Sequence, residues 1–256
     1  KTMKRILAII ISVLTLVCGT AMFTACGNDE NVLKIGVTNY KPMDYKEEGS
    51  DEWIGFDADL AKEVGKILGK KIEFVEINWD NKVMSINAKE IDIIWNGMTI
   101  TDELKEALLI SEPYLDNCQV VVCQKGEVGK YKTAEDIKNA TTVLAEAGSA
   151  GEEAAKGVLG ESSNKFKTAE KQLDCLLEVK SDANTICIID KNMAKALIND
   201  KTSYSDLAYA EVGFPDEQFG LGFRKGDTTL KNDVENAIKT LKENGKYDEL
   251  FNKYFG

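Results

Sequence analysis

The chain contains no histidine. Ser–His and Cys–His nucleophilic catalysis are thereby excluded, as are metal sites built on imidazole. No Cys-x-x-Cys spacing occurs, so neither a zinc site nor a dithiol redox pair has support in the sequence. Positive charge is scarce: 32 Lys and Arg stand against 43 Asp and Glu, a net charge of −11. An acidic surface disfavours nucleic acid as a partner. It mildly suits a cationic ligand, although the ordinary meaning of surface charge is solubility. The N-terminal apolar run, Ile6 to Val17, falls short of the about 20 residues that a transmembrane helix needs.

What is present at the N-terminus is an export signal. Lys1, Lys4 and Arg5 precede the apolar run, and small residues follow it. Residues 1–25 are therefore expected to be a signal peptide. Phe23-Thr24-Ala25-Cys26 resembles the lipobox of bacterial lipoproteins, which implies that Cys26 is lipidated. Cys18 fits less well, because Val17 is large for the residue before a cleavage site. Ordinary secretion, with Cys26 merely nearby, is the competing reading. Residues 26–31 form a short polar tether, and a lipid there holds a domain at a membrane surface. Removing residues 1–25 leaves 231 residues carrying 29 basic and 43 acidic side chains, net −14. That length fits one large domain or two lobes. Cys118, Cys123 and Cys187 lie in apolar strand-like runs and Cys175 on an apolar helix face. Buried thiols are the favoured reading, with disulfides the alternative for an exported protein.

From Val32 onward strand and helix signals alternate. Strands are expected at Val32–Val37, Ile72–Ile77, Ile91–Trp95 and Cys118–Cys123, with helices after Asp57, over Asp80–Ala88 and after Thr101. A second unit repeats the pattern. Thr133–Asp136 and Ser149–Glu152 match capping boxes, Thr142–Ala145 and Thr185–Ile189 read as strands, and Thr168–Val179 and Met193–Ile198 as helices. Phe219–Arg224 reads as a returning strand, followed by a helical stripe from Leu230 to Leu241 and an aromatic helix, Tyr247–Phe255. Such alternation implies α/β architecture, with mostly parallel sheets and helices on both faces. Two units with two crossings leave a cleft between them, where small ligands bind. The stretch Ile91 to Leu115 is the most informative. A buried strand ends in Asn96, Gly97 and Thr99, then turns at Thr101 into a helix N-terminus.

These elements carry a family resemblance. Tyr40-Lys41-Pro42, Gly55-Phe56-Asp57-Ala58-Asp59-Leu60-Ala61, Trp79-Asp80, Gly97-Met98-Thr99-Ile100-Thr101, Ser111-Glu112-Pro113-Tyr114, Ala147 to Glu152, Ile189-Asp190 and Gly245-Lys246-Tyr247 occur in order. Nearly end to end, the chain after the signal resembles the solute-binding proteins of ABC importers for polar amino acids (bacterial extracellular solute-binding proteins, family 3). The resemblance implies a two-lobed, periplasmic-binding-protein-like type II fold joined by two hinge strands. Lobe 1 is expected over 32–121 and 220–256, and lobe 2 over 122–219. It further implies a monomer without cofactor or metal, lipid-anchored outside the membrane of a Gram-positive bacterium. Such a protein closes on an amino acid and hands it to ABC permease subunits.

The resemblance also assigns a pocket. Asp190, at the end of a buried strand, is implied to pair with the ligand ammonium; capping the next helix is the competing role. Tyr40 and Trp79 are pocket aromatics that favour a cation, and Trp95 is a third candidate with core packing as its rival. Asn96 lies on the pocket strand; Gly97 and Thr99 are expected to offer a backbone N–H and a hydroxyl. Ser149 and Ala150 open a helix whose N–H groups suit an anionic group. The departure is Leu104, where the family's Thr-x-x-Arg pattern places an Arg on the ligand carboxylate. Glu146 adds a negative charge nearby. Either another donor takes the carboxylate (Gly97, Ala150, Arg224 or Lys105), or the ligand is an amine or other cationic solute without one. A dehydratase-like enzyme using Glu146 or Asp190 as proton donor is a rival class, and a sensor domain a third.

Overall fold

The computed structural model describes residues 31–256; the export segment and Cys26 lie outside the described residues. Two strand runs begin each half. β1 (Val32–Val37), β2 (Lys71–Glu76) and β3 (Ile93–Thr99) come first, with the short β4 (Leu109–Ile110) after them. β5 (Leu115–Gln124) leads into β6 (Thr142–Glu146), β7 (Phe166–Ala169), β8 (Thr185–Asp190) and β9 (Leu207–Ala210). β10 (Asp216–Phe223) returns. The strands form one hydrogen-bonded path, β2-β1-β3-β10-β5-β8-β6-β7, with β4 on β10 and β9 on β5. β1 runs parallel to β3, and β6 parallel to both β7 and β8. β5 and β10 run antiparallel to each other and to the strands they join. These are the two hinge strands of a two-lobed fold.

β5 changes partner along its length. Leu115 to Cys118 pair with β10, whereas Gln119 to Val122 pair with β8. The apolar runs seen in the sequence are explained by burial on both faces. In β3, Ile93 and Trp95 enter one core with Phe56 and Tyr114, while Ile94 and Met98 enter another with Ile86 and Leu108. β8 does the same, with Cys187 and Ile189 on one side and Ile186 and Ile188 on the other. Trp95 is thus a core residue, 1% exposed, its ring 6.4 Å from that of Tyr114. All four downstream cysteines are free thiols; Cys123, Cys175 and Cys187 are buried and Cys118 half-buried.

Three local expectations need correction. β3 does not stop at Trp95 but continues to Thr99, because β10 pairs with its tail through Gly220–Met98 and Phe219–Thr99. Asp57 does not cap its helix: Gly55 is the N-cap of Phe56–Leu68, and Asp57 is buried inside the first turn. The stretch expected as one helix from Thr168 divides into β7 and a helix over Gln172–Ser181. Edge pairing of Leu144 with Lys167 and Ala145 with Thr168 overrides the helical pattern there. The box at Thr133 forms as expected, with Asp136 bonded back to the Thr133 N–H.

Candidate binding site in the cleft

The register of β5 assembles the site. Asn117 stands opposite Glu217 on β10, and Gln119, two residues on and therefore on the same face, stands opposite Asp190 on β8. Two carboxylates from different elements are thereby set side by side. Asn117 Nδ2 donates to Asp190 Oδ1 at 2.5 Å and to Glu217 Oε2 at 3.2 Å. Gln119 Nε2 donates to the same two oxygens at 2.9 and 3.0 Å. Gln172 reaches Asp190 as well: its Nε2 donates to Oδ2 and its Oε1 accepts the Asp190 N–H. Asp190 is the N-cap residue of the helix Lys191–Leu197, yet its side chain makes no cap hydrogen bond. The carboxylate is committed to the cleft amides instead.

Neutral amides orient these carboxylates but supply no counter-charge. Burial raises Asp190 and Glu217 above the ordinary carboxylate range, and the charge of Asp190 pushes Glu217 further. Glu146, at the end of β6, is 4% exposed and pushed up to about 8, first by burial and then by Asp190. The Tyr40 hydroxyl is buried beside Asp190 and Glu146, whose charges together with burial hold its proton on. Gln119 Oε1 is unpartnered and buried.

Of the residues expected in the pocket, Trp79, Thr99, Leu104, Ser149 and Ala150 line one cavity of about 630 Å³. Tyr40, Asn96, Gly97, Glu146 and Asp190 are buried around the strand ends. Two of them do different work from that expected. The Gly97 N–H donates to Asp57 Oδ2 at 2.8 Å, so it is occupied within its own lobe. Asn96 is engaged with Thr38, accepting its N–H at 3.0 Å and donating to its hydroxyl at 2.8 Å. Gly97 still has a steric role: at φ 58°, an added Cβ would lie 2.6 Å from Tyr40 Cε1. The Thr99 hydroxyl donates to Glu217 at 3.0 Å. Ser149 Oγ caps its helix by accepting the Glu152 N–H at 3.2 Å. Arg224 is held at the base of β3 by Ile86 O, Ile91 O and Asp92, and Lys105 pairs with Asp102.

Sequence reasoning missed Lys82, Asn117, Gln119, Gln172 and Glu217. A signal existed for two of them: Asn117 and Gln119 alternate as polar residues in the strand run LDNCQVVVCQ, a one-face pattern. Lys82 is 6% exposed and lines the cavity with Trp79 and Leu104. Its Nζ lies 4.9 Å from the centre of the Trp79 ring and donates across the cleft to Gly148 O at 2.7 Å. Gly148, at φ 70°, approaches so closely that a Cβ would sit 2.9 Å from Asp80 Cα. No group of three or more Asp, Glu or Cys among the described residues is arranged to hold a metal ion.

The buried carboxylates set a pH dependence. Asp44 is raised by burial and by Asp57, Asp57 is raised to about 7 and Glu146 to about 8, and Asp190 and Glu217 are raised too. Between roughly pH 4, where such groups ionise in an unfolded chain, and pH 8, the folded chain holds protons that the unfolded chain has released. Stability therefore falls as pH rises through that window. The melting temperature of the ligand-free protein is expected to drop from pH 5 to pH 8, and Glu146→Gln to flatten the slope. A melting temperature that rises over this range would contradict the assignment; calorimetry at constant ionic strength decides.

A two-lobed α/β protein, hinged on two antiparallel strands with a polar cleft between its lobes, is a solute-binding protein of the type II class. Residues 33–256 match the bacterial extracellular solute-binding proteins, family 3, and the chain belongs to that family. It is 27% identical over 246 residues to the arginine-binding extracellular protein ArtP of Bacillus subtilis, covering 93% of this chain and 94% of the other. An ancestral arginine-binding protein solved with arginine superposes with a TM-score of 0.81 at 30% identity, over 88% of this chain and 99% of that one. A substrate-binding protein of an ABC uptake transporter from Streptococcus pneumoniae, solved with histidine, gives a TM-score of 0.80 at 31% identity, over 88% and 93%.

Proposed function

We propose that the chain is the extracytoplasmic binding component of an ABC importer for an amino acid with a cationic side chain. One observation carries the cationic part. Asp190 and Glu217 share two neutral amide donors and have Glu146 nearby, so the cleft holds three partly or fully buried carboxylates. Among the described residues, none of the three is in an ion pair. A positive solute supplies the missing charge, and the arginine- and histidine-binding relatives are consistent with one. In this reading Asp190 and Glu217 receive the cation, with Tyr40 and Trp79 as walls. Ser149, Ala150 and their helix start face the anionic end. The lobes divide where β5 and β10 change partners, Cys26 carries the lipid, the protein acts as a monomer, and it binds without turning over its solute.

Leu104 favours a second reading, an amine without an α-carboxylate, because a leucine occupies the cavity wall where the family pattern puts a guanidinium. Calorimetric titration with arginine, lysine, histidine, glutamine, putrescine and agmatine separates the two. Micromolar binding of basic amino acids above the rest is expected. Binding confined to neutral amino acids would refute the cationic assignment, and preference for putrescine or agmatine would favour the amine reading.

A further inference from the structure

Position 104 cannot bind a carboxylate, so if the solute has one, another residue must. Besides the Ala150 N–H, five donors come into question, and the structure disposes of four of them. Gly97 N–H is taken by Asp57, Arg224 by Asp92 and two carbonyls, and Lys105 by Asp102. Lys156 reaches the cavity but pairs with Glu152 at 2.8 Å and with Glu161 at 3.5 Å. Lys82 differs from all of these. It is buried on the same cavity as Leu104, yet its hydrogen bonds go to two carbonyl oxygens, Gly148 at 2.7 Å and Trp79 at 3.3 Å. A buried ammonium bonded only to neutral acceptors keeps most of its desolvation cost, and an anion placed beside it recovers that cost.

The acceptor chosen by Lys82 fixes where such an anion would sit. Gly148 is two residues before Ala150, the first residue of the helix Ala150–Leu159. Lys82, Gly148, Ser149 and Ala150 line the same cavity, so the ammonium and the start of that helix share one wall, one from each lobe. We propose that Lys82, from a different helix and a different stretch of sequence, replaces the missing arginine as the group that binds the solute's α-carboxylate. Trp79 supports it from beneath, its ring 4.9 Å from Nζ. The acidic groups facing Lys82 are Glu146, Asp80, Glu103 and Glu153. They keep the lysine charged against burial, which pulls its proton affinity down.

The proposal rests on the reading that the solute is an amino acid, but not on which one. The test compares each amino acid with its carboxamide, L-arginine against L-argininamide and L-glutamine against L-glutaminamide, by calorimetry on the parent chain, Lys82→Met, and Lys82→Met with Leu104→Arg. The parent chain should prefer the acid over the amide by about 30-fold, and Lys82→Met should reduce that preference about tenfold or more. The added arginine should restore it, which also shows that the lysine variant is folded. Equal losses of acid and amide in Lys82→Met would overturn the proposal and leave Lys82 as a latch between the lobes. A parent chain that binds only amines would overturn it too, whereas binding of glutamine alone, with the Lys82 effect intact, would refute the cationic reading and not this one.

Discussion

Replacing Asp190 with Asn is expected to weaken solute binding by about 100-fold or more, at the scale of 2–5 kcal/mol for a buried charge deprived of its partner. The same change should not lower the melting temperature above pH 6. The reason lies in the surroundings of the carboxylate. It is 5% exposed and held by Asn117, Gln119 and Gln172, all neutral. In the unliganded protein its charge is costly, which is why its proton affinity is raised. Asn keeps the shape and removes that cost, although its amide group must turn away from three donors. With a cationic solute bound, the charge becomes favourable, so the whole loss appears in the complex. Titration calorimetry and thermal denaturation, read together, separate the two states. Binding within threefold of the parent chain would show that Asp190 does not meet the solute.

The second large effect is structural. Phe56 is fully buried at the start of its helix. Its ring packs edge-on against Tyr247 at 5.4 Å and Phe255 at 5.3 Å, and lies parallel to Tyr114 at 6.4 Å. Phe56→Ala removes the hub of this cluster, at a cost of about 3–5 kcal/mol for a truncated core aromatic. At about 2–4 °C per kcal/mol for a chain of this size, the melting temperature should fall by roughly 6–20 °C. The C-terminal helix, Lys246–Phe255, should lose amide protection first, because it docks on lobe 1 through these rings. A fall below about 3 °C would show that the cluster relaxes into the vacancy.

The alternation of strands and helices was legible because burial on both faces of β3 and β8 writes itself as unbroken apolar runs. The cavity wall was legible where a residue's neighbours in sequence are also its neighbours in space, as at Trp79, Thr99, Leu104 and Ser149-Ala150. Glu217 was not, since it gains its meaning from lying opposite Asn117, a register set across a sequence separation of 100 residues. Lys82 was not legible either, because nothing local announces that Gly148 closes over it. Gly97 misled for the opposite reason. A small residue at a strand end suggests a free N–H, but the tight turn at Gly55 carries the side chain of Asp57 to it first.

The crossing of β5 and β10 has one further consequence. Asp190 is fixed to the lobe carrying β8, and Glu217 sits on the strand that returns toward β3, so any rotation about the crossing alters the spacing of two like charges. In the proposed function the hinge and the charge sensor are then the same few residues. On that reading, a cation seated between the carboxylates offsets their mutual repulsion, which couples the charge of the cargo to the geometry of the hinge.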